Sequence, residues 1–258
     1  HKTMQKQNFV LTMTVDSTKL DSFEFTGYKY IPKKNQVTGL MWKEYDHDSI
    51  FTKTIPFYRY FREDIVVKKP DYYIIPQAWD EVIERLQLNN VKLLTLLKDT
   101  VLEVAVYYIE KNKKSERQYN GHIANTEFEL NSTVQEIQYY KGDYIVKMDQ
   151  TSNNYIVQVL EPESEISFFR WNFFDPILER REYLTANGFE DEAIKWLEEN
   201  PEIKADLEKR KKEDEQFAQN HYMQMWFIFQ NSPYYEKTHN RYPVTRLFKY
   251  IKLPVTQD

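Results

Sequence analysis

Cysteine is absent from this 258-residue chain, which excludes disulfides, thiolate metal sites and a cysteine nucleophile together. Only five glycines occur, so turns with positive φ are few and no glycine-rich phosphate cradle is present. A basic excess is missing too. Lys and Arg total 35 against 40 Asp and Glu, a formal net charge of -5, so neither nucleic acid nor an anionic membrane gains from the overall charge. No window approaches the roughly 18 consecutive apolar residues of a membrane span, and the amino terminus lacks the basic-then-apolar order of a signal peptide. The chain begins with His1, and the expectation is a processed protein or a segment of something longer.

What is abundant is aromatic: 20 tyrosines and 16 phenylalanines. From Asn8 to Val15, Phe9, Leu11, Met13 and Val15 alternate with Val10, Thr12 and Thr14 at strand period. "FEFTGYKYI" and "VTGLMWKEY" follow in the same style around a predicted turn at Pro32–Asn35, so the first seventy residues read as mostly β. Pro70 and Pro76 bracket a predicted strand at Tyr72–Ile75, after which a helix is predicted from Pro76, with Trp79, Val82, Ile83 and Leu86 at helical spacing and Asn89 and Asn90 at its end. "VKLLTLL" and "LEVAVYYIE" read as two strands joined at Lys98–Asp99, Lys111–Gly121 as an exposed loop, and "TEFELNSTVQEIQYY" as a long strand. "GDYIVKM" and "NYIVQVL" read as a hairpin around Asp149–Asn153.

Past Asp175 the pattern becomes helical. Asp175 is the predicted N-cap and Pro176 the first helical residue, with Gly188 as a stop. Glu190–Glu199 forms a second helix, and Asn200-Pro201 restarts a third through "EIKADLEKRKKEDEQFAQ", carrying Asp206–Arg210 and Glu208–Lys212 at i,i+4. The apolar "HYMQMWFIFQNSPYY" is predicted to be buried. The fold class is therefore α+β: a β-rich core region over 1–175, with a helical region over 176–258 packed on it as one continuous domain.

Metal-ligand spacing is missing. His1, His47, His122, His221 and His239 are dispersed, and none begins a His-x-x-Glu or His-x-x-x-His pair. The densest donor cluster is "YDHDS" at Tyr45–Ser49, which also reads as a polar turn. A zinc site would have to be assembled by tertiary contacts among residues such as His47, Asp48 and His122. No Gly-x-Ser-x-Gly elbow exists, and Ser164, Ser167 and Ser232 have no histidine nearby in sequence. "KRKK" at Lys209–Lys212 lies among acids on a periodic helix and reads as a solvated face. Asn131-Ser132-Thr133 is a glycosylation sequon.

One binding-site cluster remains: Glu161, Glu163, Arg170, Trp171, Asn172 and Asp175, in "LEPESEISFFRWNFFD". Two carboxylates across a sugar bond, with Trp171 and Phe173 to stack on the ring, would suit a glycoside hydrolase. The same residues also suit framework duty: Pro162 to turn the chain, aromatics to fill core, Asp175 to cap a helix, Arg170 or Asn172 to satisfy buried polar groups.

"PDYYIIPQAWDEVIERL" (70–86), "YNGH" (119–122), "GDYIVKMDQ" (142–150), "VLEPESEISFFRWNFFD" (159–175) and "NSPYYEKTHNRYPVTRL" (231–247) occur in that order. From about Phe23 onward the chain resembles the carboxy-terminal half of large bacterial zinc carboxypeptidases of the carboxypeptidase A type, in the long versions of Bacteroides-like bacteria. In that family a His-x-x-Glu motif and a later His hold zinc, an Arg grips the substrate carboxylate and a Glu activates water, all in an amino-terminal catalytic domain. This chain has no His-x-x-Glu, so none of those residues carries over. The resemblance implies a non-catalytic accessory region from a secreted or periplasmic protein. Zinc is expected upstream and no cofactor here, and the implied partner is the upstream catalytic domain of the same polypeptide. A peptide or glycan portion of substrate is a further expected partner. A peptide- or glycan-binding module, with a platform of Trp171 or Tyr139 and Tyr140, is the alternative, and a carboxylate-dependent glycoside hydrolase the other.

Overall fold

The computed structural model describes residues 2–180, 184–185 and 188–256. The chain divides into two compact units, one of residues 7–68 and the other of residues 1–6 with 69–258.

The smaller unit consists of three nested antiparallel pairs. β1 (Asn8–Val10) pairs with β6 (Val66–Lys68), β2 (Met13–Val15) with β5 (Phe61–Glu63), and β3 (Asp21–Lys34) with β4 (Met41–Phe57). The strand predicted over 8–15 is thus two strands. The break falls at Leu11 and Thr12, whose amides both donate to Ile65 O, at 2.8 and 3.5 Å, while the Thr12 hydroxyl accepts from the Ile65 amide at 3.2 Å and donates to Asp64 Oδ2 at 3.0 Å. Phe9 and Leu11 are buried, but Met13 and Val15, on the same predicted face, are exposed. The turn predicted at 32–35 lies further on. β3 runs through Pro32, Lys33 and Lys34, and Asn35 closes the loop by accepting the Gly39 amide at 2.9 Å. Gly39 supplies the positive φ of 72° that this closure needs.

The larger unit holds a six-stranded sheet in the order β10-β9-β12-β7-β11-β8, with every pairing antiparallel. These strands are β7 (Tyr72–Ile75), β8 (Leu94–Thr95), β9 (Thr100–Lys114), β10 (Asn125–Tyr139), β11 (Tyr144–Lys147) and β12 (Thr245–Leu247). All four residues of β7 are buried, because both faces of the central strand are covered. Tyr72 and Ile74 join Leu94, Val104, Val106 and Leu247 in one apolar cluster. Tyr73 and Ile75 point the other way, as the two-residue period requires.

Consecutive β8 and β9 do not pair with each other. β8 pairs with β11 at one sheet edge, and β9 lies between β10 and β12 near the other. β9 also extends through Lys114, which shortens the predicted loop from its front.

Three helical expectations change. The helix after β7, α2 (Asp80–Leu88), begins four residues later than Pro76, because the Gln77 amide donates to Asp143 Oδ1 at 3.0 Å and Trp79 N bonds back to Pro76 O. "NYIVQVL" is a helix, α3 (Asn153–Leu160), not the second arm of a hairpin. A short apolar β-branched run fits either period, and Asn153 decides it. Fully buried, it accepts the Gln150 amide at 3.3 Å and donates to Met148 O at 2.8 Å, turning the chain; Ile156, Val157 and Leu160 then share the buried face. Asp175 starts only a short 3-10 turn, Asp175–Leu178, and makes no cap bond, because its oxygens are already occupied. The helix predicted to follow lies partly outside the described residues.

The remaining helices are α4 (Glu190–Glu199), α5 (Pro201–Glu213), α6 (Glu215–Ala218) and α7 (His221–Gln230). The predicted third helix is cut at Asp214, which ends α5 and caps α6 by accepting the Phe217 amide at 2.9 Å. Phe189, Leu207, Phe217, Ile228 and Phe229 form their common core. The ion pair on α5 is Glu208–Lys211 at 2.7 Å, at i,i+3 spacing.

Candidate functional site

The six candidate residues fall into two groups with different surroundings. Glu161 directly follows α3 and is 1% exposed. Its Oε1 accepts from the Tyr73 hydroxyl at 2.6 Å, and its Oε2 lies 3.9 Å from Arg246 Nη1. Arg246, in the middle of β12, is itself 8% exposed; its guanidinium stacks 3.7 Å from the Tyr107 ring centroid, donates to the Tyr107 hydroxyl through Nη1 and to Ser132 Oγ at 3.2 Å through Nη2. Two atoms of this cluster, Glu161 Oε2 and Arg246 Nε, have no hydrogen-bond partner.

Burial dominates the electrostatics. It pushes the Glu161 carboxyl above the ordinary carboxylate range, against the opposing pull of Arg246 and of the Tyr73 and Tyr107 hydroxyls. It raises Tyr73 well above the usual tyrosine value, reinforced by the Glu161 charge, and raises Tyr107 and Tyr242 likewise. Tyr242 is spoken for as well, donating to Leu160 O at 2.7 Å. Glu163 is half-buried and also shifted upward by burial, with Arg246 opposing.

Asp175 belongs to the second group. Its Oδ1 accepts from Asn125 Nδ2 at 2.9 Å, and its Oδ2 from Lys114 Nζ at 2.7 Å and Asn172 Nδ2 at 3.1 Å. Asn172 sits at φ 72° and also donates to Ile123 O at 2.9 Å, so both residues tie the 115–124 loop and the β9–β10 pair to the 168–175 segment. Trp171 is half-buried, 5.6 Å from the His122 ring and 6.3 Å from Tyr119. Arg85 of α2 stacks on Phe173 at 4.4 Å. Arg170 Nε is buried without a partner. Tyr139 is buried and Tyr140 exposed, so those two do not make one platform.

The remaining candidates resolve similarly. Ser164, Ser167 and Ser232 are buried and donate to Gln158 Oε1, Pro162 O and Phe229 O at 2.6, 2.9 and 2.7 Å. His47 packs edge-on against Tyr28, and His239 shares a 2.8 Å hydrogen bond with the Tyr235 hydroxyl. His1 lies outside the described residues. Among the described residues no three His, Cys, Asp or Glu converge. A cleft of about 200 Å³ lined by Pro76, Trp79, Tyr139, Glu236, Arg241 and Thr245 includes none of the six candidates.

Sequence reasoning missed Tyr73, Tyr107, Tyr242 and Arg246. A charge inside the apolar run "PVTRLF" was the available signal for Arg246, since a charge in a buried strand calls for a partner. Comparison of the chain with family models, with curated proteins and with solved structures finds no match. No helix among the described residues is long and apolar enough to cross a membrane.

Proposed function

We propose that this chain is a non-catalytic accessory region of a zinc carboxypeptidase-like protein, acting as scaffold or positioning substrate for an upstream catalytic domain of the same polypeptide. A periplasmic or secreted location and zinc in that upstream domain belong to the same proposal. The observation that carries the non-catalytic part is the occupation of two of the three candidate acids, Glu161 and Asp175. Glu161 is sealed between Tyr73 and Arg246, and Asp175 is held by Lys114, Asn125 and Asn172. A general acid or nucleophile must face a reacting bond; these carboxylates face the fold. The parent activity, removal of carboxy-terminal residues from peptides, rests on the order of the sequence motifs.

The test is an assay of the purified chain on peptides with free carboxy termini, with zinc supplied and then chelated. No release is expected in either condition. Release that a chelator abolishes would overturn the proposal.

Peptide or glycan recognition is a second reading, favoured by Trp171 beside the exposed Tyr119. Saturable quenching of tryptophan fluorescence by an oligosaccharide or peptide, lost in Trp171→Ala, would support it.

A further inference from the structure

Exposed apolar side chains run along the β3–β4 ribbon, among them Phe23, Tyr28, Tyr45 and Ile50, and the tip adds a cluster of its own. Val37 is 94% exposed, Leu40 69%, Met41 64% and Trp42 59%, and Ile31 and Tyr30 lie just behind them, also exposed. Four large apolar side chains on one exposed turn would be costly in water without a partner. Residues 31–43 carry Lys33, Lys34 and Lys43 and no acid; further back on the ribbon Lys29 stands with Glu44, Asp46 and Asp48. Glu44 is paired to Lys33, and Lys43 lies 4.7 Å from the Tyr30 ring centroid. The tip is thus locally positive on a chain of net charge -5. Local sign decides, because charges further away than about 8–10 Å are screened at ordinary ionic strength. Behind Glu44, the next acids on the ribbon, Asp46 and Asp48, lie at the level of Lys29, five residues before Lys34, roughly 16 Å at strand rise.

The second observation is in the backbone. Asn35 N donates to Leu40 O at 2.8 Å, and Gly39 N to Asn35 O at 2.9 Å. Val37 N and Thr38 N both donate to Asn35 Oδ1 at 2.9 Å, and Leu40 N to Thr38 Oγ1 at 3.3 Å. Five amides of an exposed turn are therefore satisfied internally, where water could have served them. Internal satisfaction is what a hydrocarbon environment demands of a backbone. An exposed apolar tip flanked by Lys34 and Lys43, with Tyr30 behind it, matches the interfacial layering of a bilayer, where Trp and Tyr sit at headgroup depth and Lys at anionic headgroups.

We propose that the tip formed by residues 31–43 inserts shallowly into an anionic lipid surface and anchors the protein there without spanning it. Val37, Leu40 and Met41 enter the acyl boundary, Trp42 lies at headgroup depth, and Lys34 and Lys43 contact the anionic headgroups. The proposal is independent of the accessory reading and holds or fails whatever the parent activity.

The missing cysteines make the test simple. Val37→Cys supplies a single thiol for an environment-sensitive fluorophore on the whole chain. With vesicles containing about a third phosphatidylserine in phosphatidylcholine, the label is expected to shift to the blue and the protein to sediment with the vesicles; with phosphatidylcholine alone, binding is expected to be at least about tenfold weaker. In the unlabelled chain, Leu40→Asp and Lys34→Glu/Lys43→Glu are each expected to weaken vesicle binding about tenfold or more, with circular dichroism unchanged. Failure to bind either vesicle overturns the proposal, as does binding that survives both variants. A blue shift without vesicles, accompanied by a doubled mass in light scattering, would also overturn it and assign the tip to a second copy of the chain.

Discussion

Arg246 Nη1 lies 3.9 Å from Glu161 Oε2, and both side chains are almost completely removed from solvent. The distance is long for a buried pair, and one atom on each side is left without a hydrogen bond. Such a pair contributes less than its charges suggest, yet removing one member leaves the other uncompensated.

Arg246→Met is accordingly expected to destabilise the protein by about 3–5 kcal/mol at neutral pH. Denaturant titration would measure it. Pairing it with Glu161→Leu should recover a large part of the loss, because the stranded charge is removed as well. A double variant no better than Arg246→Met would show that packing over the Tyr107 ring, and not charge compensation, is what Arg246 provides.

The pH dependence follows from the raised Glu161 carboxyl. A folded state that holds this proton more tightly than the unfolded chain is favoured at low pH. The Glu161 contribution is thus fully present below the ordinary value of 4.5 and is lost as pH rises through the higher folded value. In Glu161→Gln that downward slope above pH 4.5 should flatten, leaving the smaller slope of half-buried Glu163, which shifts in the same direction. Melting temperatures across pH 4–7, wild type against variant, would test this; parallel curves would exclude Glu161 as the source.

Asp175→Ala removes the acceptor shared by Lys114, Asn125 and Asn172. Asn125 keeps its 2.8 Å bond to Phe169 O, so the loss should stay near 1–3 kcal/mol. Faster proteolysis within 115–124, the loop tied down by Asn172, should accompany it.

Asp214→Ala should cost about 1 kcal/mol by removing the cap of α6. Asn220→Ala, which removes the 3.0 Å bond to Met223 N at the start of α7, should behave alike. Additive losses in chemical denaturation would mark them as two independent caps.

Much of the fold was legible where one local signal ruled. Tyr72–Ile75 is the strand its flanking prolines announce, β10 covers the long strand-prone run, and Glu190–Glu199 has the predicted bounds. The α+β class follows from these. Misreadings came where local chemistry was ambiguous and a distant group decided: Asp143 delays α2, and the bonds of Asn153 convert "NYIVQVL" from strand to helix. The β8–β11 pairing had no local trace. Of the candidate site, Glu161 and Asp175 were visible as residues of consequence. Their surroundings were not, because Tyr73, Lys114 and Arg246 arrive from elements remote in sequence.

β12 is a three-residue strand near the end of the chain, yet it occupies an interior place in the sheet, between β9 and β7. During synthesis, both neighbours leave the ribosome long before it does. Until Thr245–Leu247 arrives, β7 lacks one partner and Glu161 lacks its counter-charge, so a nascent chain carries an open seam and an isolated buried acid. Its last-made strand therefore closes the sheet like a keystone. Chaperones and proteases would meet a half-finished sheet for the whole interval between the synthesis of β9 and that of β12.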